Sequence, residues 1–141
     1  MAYVIDPPSR TSLPVHGTEA RYPVRRVYCV GRNYEAHARE MGADPTREPP
    51  FIFQKPSDAV VSSVTSIPYP PQTRNLHHEI ELVVAIGKRG VNVSAAEAAA
   101  LVFGYGVGID LTRRDLQQAA KDGGSPGSGA RPSTIPRRVP R

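Results

Sequence analysis

The sequence predicts one domain of mixed α and β structure, with most of the chemically useful residues at the ends of strands. Its 141 residues match the length of a single domain. Apolar runs rich in β-branched residues alternate along the chain with short segments that begin on a helix N-cap. Eleven of the 15 prolines precede residue 72, four follow residue 125, and none lies between. The longest regular elements are therefore expected in that central stretch.

The N-terminal half is predicted to hold short elements. Residues 1–21 form an N-terminal extended arm, because prolines interrupt regular structure there. Residues 24–30 are rich in β-formers and lie between a proline and a glycine, which indicates a strand. A helix over residues 33–41 begins on an asparagine cap and ends before a glycine. A short strand follows at 51–54, and 59–64 is a weaker strand candidate.

The central stretch contains the clearest elements. Residues 79–87 alternate at first and then become continuously apolar, which predicts a central strand. A capping box at Ser94 and Glu97 opens an alanine-rich helix that runs to about residue 101. A second strand covers 102–110. A second capping box, at Thr112 and Asp115, then opens a helix to about residue 121.

The last twenty residues differ in kind from the rest. Gly, Pro, Ser and Arg occupy 15 of the 20 positions in 122–141, a composition typical of disorder. This segment carries a net charge of +3 of the chain's +5, whereas residues 1–121 are nearly balanced at +2. The positive charge of the whole chain therefore says little about a nucleic-acid partner.

Several classes are excluded or disfavoured by composition. No run of 18 apolar residues occurs, so no transmembrane segment is predicted. The N-terminus carries an aspartate and two prolines where a signal peptide needs an apolar stretch. One cysteine, Cys29, cannot form an internal disulfide, which favours a cytoplasmic location.

Three carboxylates are candidate metal ligands. Glu79 and Glu81 are two apart in a predicted strand, so both side chains project from one face. Their mutual repulsion favours a bound cation, and Asp110 at the end of the next strand can complete the set. Ligation by oxygen alone favours Mg²⁺ or Mn²⁺ over Zn²⁺. The alternative is a solvated edge-strand face with no ion.

For the other candidate residues, a functional role and a purely structural role are both open. His37 and Glu40 share a helix face, and a carboxylate that orients an imidazole can activate water. They could also be two polar residues on a wet helix surface. Lys55 follows a short apolar strand and can pair with an anionic substrate, or it can be an ordinary exposed lysine. His77 and His78 point to opposite faces of a strand and are unlike a shared metal site.

Four segments in order resemble the fumarylacetoacetate hydrolase family, and within it the bacterial fumarylpyruvate hydrolases of gentisate breakdown. The resemblance covers residues 22–121 and rests on these strings: YCVGRNYEAHAREMG at 28–42, REPPFIFQKPSDAVV at 47–61, HHEIELVVAIGK at 77–88 and FGYGVGIDLTRRDLQ at 103–117. It implies an α+β fold, a mixed β-sandwich roll with peripheral helices. By the same resemblance residues 22–121 are the N-terminal portion of a hydrolase catalytic domain, incomplete at its C-terminus.

The resemblance also implies roles for individual residues. Glu79, Glu81 and Asp110 match the family's carboxylate ligands for Mg²⁺ or Mn²⁺. The water-activating pair matches His37 and Glu40, and an active-site lysine matches Lys55. Two residues of the RDxQ segment, Arg114 and Gln117, match positions that help bind substrate.

The implied activity is metal-dependent hydrolysis of the C–C bond of an acylpyruvate such as fumarylpyruvate, giving fumarate and pyruvate. The substrate is then a small 2,4-diketo acid, with no nucleic acid and no membrane as partner, and full-length family members form homodimers. An oxaloacetate decarboxylase, or another 2-keto acid hydratase or isomerase of the family, is the alternative. A basic-tailed nucleic-acid-binding protein is a remote alternative that rests only on the arginines of residues 122–141.

The resemblance stops after the RDxQ segment. Where the family continues with another active-site lysine and more strands, residues 124–141 read GSPGSGARPSTIPRRVPR. We interpret this segment as translated out of frame, and the nucleotide sequence across it tests the interpretation. Loss of the later strands would expose apolar edges, so we expect weak activity and poor solubility.

Overall fold

A computed structural model of the chain describes residues 2–31, 51–62, 66–124 and the backbone of 133–137. Strands predominate in these ranges and are joined by a few short helices, and the α+β class is confirmed. The strands are β1 (Ser12–Pro14), β2 (Arg21–Pro23), β3 (Val27–Gly31), β4 (Phe51–Lys55), β5 (Leu76–Ile86), β6 (Val102–Arg113) and β7 (Ser133–Arg137). The helices are α1 (Ala95–Ala98) and α2 (Arg114–Asp122), and 3₁₀ turns occur at Ser57–Ala59 and Ala99–Leu101.

The largest sheet among the described residues is built on the long antiparallel pair β5 and β6. Their register runs from Leu76 opposite Arg113 to Ile86 opposite Val102, with one irregularity between Ala85 and Ile86. β7 pairs with the other edge of β6, also antiparallel. β6 is therefore the central strand of this sheet, and the strand predicted to be central, around 79–87, lies at its edge among the described residues. Residues 82–86 are continuously apolar because both faces carry apolar side chains there: Val83 and Ala85 are half-buried and buried, whereas Leu82, Val84 and Ile86 are exposed.

The predicted extended arm contains paired strands. β1 and β2 form a small antiparallel sheet in which Leu13 lies opposite Tyr22. Leu13 and Val24 are buried with Ala85 of β5 in one apolar cluster. Pro14 and Pro23 did not prevent this, because each is the last residue of a three-residue strand, where a missing N–H is tolerated. The N-terminal segment thus packs onto the β5–β6 pair instead of extending from it.

The two predicted capping boxes have different outcomes. At α1 the Ser94 side chain accepts from the Glu97 backbone N–H, and Glu97 accepts in turn from the Ser94 N–H, as predicted. At α2 the prediction is wrong: Arg113 is the N-cap residue and makes no side-chain capping bond. Thr112 belongs to β6 and its hydroxyl donates to a carboxylate on β5 instead.

Other predicted elements have mixed outcomes. β3 and β4 pair with each other close to the predicted bounds, whereas a 3₁₀ turn at Ser57–Ala59 replaces the start of the weaker strand. Residues 133–137 form β7, and the disorder predicted for 122–141 stays a prediction. The helix predicted at 33–41 lies outside the described residues.

Within the described residues, no helix has the length and apolarity needed to cross a membrane.

Candidate metal centre

The β5–β6 register brings three carboxylates together on one face of the sheet. Glu79 lies directly opposite Asp110, and Glu81 lies two residues further along β5, opposite Gly108. Side chains two apart in a strand share a face, and directly opposite residues in an antiparallel pair are close neighbours. One oxygen from each of Glu79, Glu81 and Asp110 lies within 4.8 Å of the other two. The structure therefore places together the three carboxylates that the sequence analysis grouped.

A buried lysine reaches this group from a different sheet. Lys55 is the last residue of β4, and its Nζ lies 2.5 Å from Asp110 Oδ1. Both residues are buried, at 4% and 3% relative exposure. Burying a charge is unfavourable unless an opposite charge lies beside it, so the ammonium group and the carboxylate each offset the cost of burying the other. The interpretation of Lys55 as an ordinary exposed lysine is wrong.

The start of α2 supplies a second cation. The Arg114 guanidinium forms a salt bridge with Glu79 Oε1 and donates to Gln117 Oε1 at 2.7 Å. Residues three apart on a helix lie on the same side, which explains why Arg114 and Gln117 meet. The two residues that the resemblance assigns to substrate binding therefore lie beside the carboxylate cluster, and Arg114 contacts it directly.

Thr112 is the contributor that sequence reasoning missed. Its Oγ1 donates to Glu79 Oε2 at 3.2 Å, and the residue has 0% relative exposure. The local T-x-x-D pattern indicated a helix cap, so the residue was assigned to α2. A signal that could have found it is the strand alternation, since Asp110 and Thr112 are two apart and share a face.

The donor set fits a hard divalent cation. Mg²⁺ and Mn²⁺ prefer oxygen ligands, and an ion about 2.1 Å from each oxygen holds neighbouring ligand oxygens about 3 Å apart. The observed spacing of at most 4.8 Å allows this with small side-chain rotations. Three carboxylates beside Lys55 and Arg114 also leave a formal excess of negative charge, which favours a cation.

The structure describes only some of the remaining predicted residues. His37 and Glu40 fall outside the described residues. His77 lies opposite Thr112 and His78 opposite Leu111, so the two histidines point to opposite faces as expected. The Arg114 Nε donates to His77 Nδ1 at 3.4 Å.

A short loop is fixed to the start of α2 beside the centre. Asp115 accepts from the Thr73 hydroxyl at 2.6 Å and from the Arg74 backbone N–H at 2.9 Å. These hydrogen bonds, first that of Thr73, hold the pKa of the Asp115 carboxyl below its ordinary value. A third hydrogen bond joins the loop to the helix: the Asn75 carbonyl accepts from the Arg114 backbone N–H at 2.8 Å.

Comparison with known proteins identifies the family. The family model described as fumarylacetoacetate (FAA) hydrolase C-terminal matches residues 26–134, which is most of the chain. The chain belongs to the fumarylacetoacetate hydrolase family. The match extends past residue 121, where the resemblance to the family was expected to end, so the boundary predicted there stays a prediction.

Curated relatives carry two different activities. A fumarylpyruvate hydrolase of Ralstonia sp is 48% identical over 83 residues, 59% of this chain and 43% of the relative. The mitochondrial oxaloacetate tautomerase FAHD1 of Bos taurus is 45% identical over 102 residues, 72% of this chain and 46% of the relative. The chain thus spans about half the length of the curated relatives it matches.

Solved structures agree on the fold. The fumarylpyruvate hydrolase of Pseudomonas aeruginosa, crystallised in complex with Mn²⁺ and pyruvate, superposes with a TM-score of 0.94 at 49% identity, covering 99% of this chain and 63% of that one. A fumarylpyruvate hydrolase homologue from Burkholderia cenocepacia gives a TM-score of 0.87 at 51% identity, covering 99% and 61%. The predicted fold of the fumarylacetoacetate hydrolase family is therefore confirmed, and the acidic group of this chain has the composition of a metal site.

Proposed function

We propose that this chain carries the metal-binding part of a hydrolase that cleaves the C–C bond of an acylpyruvate such as fumarylpyruvate, giving fumarate and pyruvate. The observation that carries the proposal is the cluster of Glu79, Glu81 and Asp110 on one sheet face, with Lys55 and Arg114 against it. Similarity to an enzyme crystallised with Mn²⁺ and pyruvate supports the same assignment.

The three carboxylates would hold the ion, Mg²⁺ or Mn²⁺. Bound there, the ion would act as a Lewis acid that polarises a keto oxygen and lowers the energy of negative charge developing on it. Lys55 holds Asp110 in place from the side of β4. Because both are buried, this pair keeps its orientation at little entropic cost when a ligand arrives.

The proposed substrate contacts lie at the start of α2. Arg114 and Gln117 are joined by a hydrogen bond, so their side chains form one polar unit beside Glu79. A guanidinium has five donors, so Arg114 can keep its bond to Glu79 while it binds a substrate carboxylate. We assign the activation of water to His37 and Glu40 on the resemblance alone.

A second candidate function rests on a specific similarity. The mitochondrial oxaloacetate tautomerases of several organisms are 41–45% identical over 101 or 102 residues. Interconverting keto and enol forms needs the same polarised keto oxygen but no attacking water. The alternative is therefore an isomerase acting on oxaloacetate with the same cluster.

One assay separates the two functions. The purified chain, loaded with Mn²⁺ or Mg²⁺, is given fumarylpyruvate and, separately, enol-oxaloacetate, and product formation is followed by absorbance and chromatography. We expect metal-dependent release of fumarate and pyruvate that is abolished by a chelator and by Asp110→Asn. Ser94→Ala, at the far connection between β5 and β6, is the matched control and should retain the rate. Conversion of oxaloacetate alone, or no metal-dependent loss of fumarylpyruvate, would contradict the proposal.

A further inference from the structure

Thr112 is the most deeply buried side chain beside the carboxylate cluster. Among the described residues it is the largest fully buried side chain, at 0% relative exposure, and it lies in strand β6. An ionised carboxylate only accepts hydrogen bonds, so the Thr112 hydroxyl is the donor in its 3.2 Å contact with Glu79 Oε2. Burying a hydroxyl group here would destabilise the fold unless the group had such a hydrogen-bond partner.

The two oxygens of Glu79 have different kinds of partner. Oε1 pairs with Arg114, a long side chain that also contacts Gln117 and His77. Oε2 pairs with Thr112, whose β-branched side chain has a single torsion that burial and the strand backbone restrict. The terminal torsion of a glutamate is otherwise broad, so without Thr112 the carboxylate plane would rotate more freely about the Arg114 contact.

We propose that Thr112 is a positioning residue of the metal centre. Its hydroxyl fixes the plane of the Glu79 carboxylate so that Glu79 presents an oxygen toward Glu81 and Asp110. The role rests on the proposed metal site and adds to it a residue that touches neither ion nor substrate. Hydrogen bonds that orient a ligating carboxylate contribute to metal affinity in general.

The test measures Mn²⁺ affinity by titration calorimetry on the whole chain, together with its thermal unfolding in the absence of metal. Thr112→Val removes the hydroxyl at nearly constant shape, and Thr112→Ser keeps the hydroxyl and removes the methyl group. Thr73→Val is the matched control, because it removes a threonine-to-carboxylate hydrogen bond from Asp115, which is outside the cluster. We expect affinity to fall about tenfold in Thr112→Val and to stay near that of the unaltered chain in Thr112→Ser and Thr73→Val.

The possible results separate the positioning role from the metal site itself. Absence of Mn²⁺ binding in the unaltered chain would overturn both the proposed function and this role. Tight binding in the unaltered chain with equal affinity in Thr112→Val would overturn the role alone. If Thr112→Val does not fold, the serine variant still decides: a loss of affinity there as large as tenfold, with unchanged thermal unfolding, would show that the hydroxyl is not what matters. An equal loss in Thr73→Val would also contradict the role.

Discussion

The two faces of the β5–β6 pair carry opposite chemistry although they are built from the same two strands. One face bears Glu79, Glu81 and Asp110, half-buried or buried and matched by Lys55 and Arg114. On the other face the cross-strand pairs Leu82–Val107 and Val84–Tyr105 are apolar and exposed. In the part of the chain that the structure describes, the carboxylates lie on the more buried face, and most apolar side chains of the other face are exposed.

The two faces depend on the strand register in the same way but are stabilised differently. Adjacent residues of a strand point to opposite faces, so a one-residue shift in register would exchange the carboxylates with the apolar side chains. Buried charge is stable only when paired, which makes the polar face sensitive to single changes. Exposed apolar side chains contribute little to the stability of the chain alone but favour association. Substitutions on the two faces should therefore have effects of different size and kind.

The largest effect is expected at the buried pair of the polar face. Lys55→Met keeps the side-chain volume but leaves Asp110 buried without its ammonium partner. We expect the free energy of unfolding to fall by about 3–5 kcal/mol, the usual cost of removing one partner of a buried ion pair. Urea denaturation measures it, with Leu82→Met on the exposed face as the control at about 0.5 kcal/mol or less. A loss at Lys55 no greater than that of the control would show that the two faces do not differ in this way.

The next effect concerns the ion itself. Glu81→Gln keeps the size of the side chain and removes one charged ligand of the three. We expect Mn²⁺ affinity to fall about 100-fold, at the upper end of what changes around a metal ligand cost. Titration calorimetry measures it, and Ile80→Asn, one residue away on the opposite face, is the control. Equal affinities in Glu81→Gln and the unaltered chain would remove Glu81 from the proposed ligand set.

A smaller effect is expected on the apolar face. Leu82 is 59% exposed and Val107 51% exposed, and the two lie opposite each other. We expect the chain to self-associate through this face, and Leu82→Lys with Val107→Lys to weaken that association about tenfold or more. Sedimentation equilibrium measures it. Unchanged association in the double variant would show that another surface is responsible.

Much of the polar face could be predicted from sequence because its determinants are local. The two-residue spacing of Glu79 and Glu81 fixes their shared face, and the apolar strands that carry them have a clear pattern. Lys55 and Thr112 show what local patterns leave out. Their partners lie 55 and 33 residues away in the chain. The pairing of β5 with β6 brings Thr112 to Glu79, whereas Lys55 reaches Asp110 from the separate β3–β4 sheet.

The fold was predictable to a similar extent. The capping box at Ser94 was predicted because all of its hydrogen bonds form within four residues. The Thr112–Asp115 pattern has the same spacing, but no capping box forms there, because the half-buried carboxylate of Glu79 accepts from the threonine hydroxyl instead. The exposed apolar face misled the prediction of a central strand, since continuous hydrophobicity does not report which side of a strand is covered.

The smallest effect is expected at the loop anchor beside the polar face, and it depends on pH. Hydrogen bonds from Thr73 and Arg74 lower the pKa of Asp115 below its value in the unfolded chain. The unfolded chain therefore binds the proton first as pH falls, so the stabilisation by Asp115 is present above about pH 4 and is lost as pH falls through the lowered pKa. Asp115→Asn should unfold more easily than the unaltered chain at neutral pH, and the difference should shrink toward pH 2. Urea midpoints between pH 7 and pH 2 measure it, and a difference that does not change with pH would mean that packing, rather than the charge of Asp115, anchors the loop.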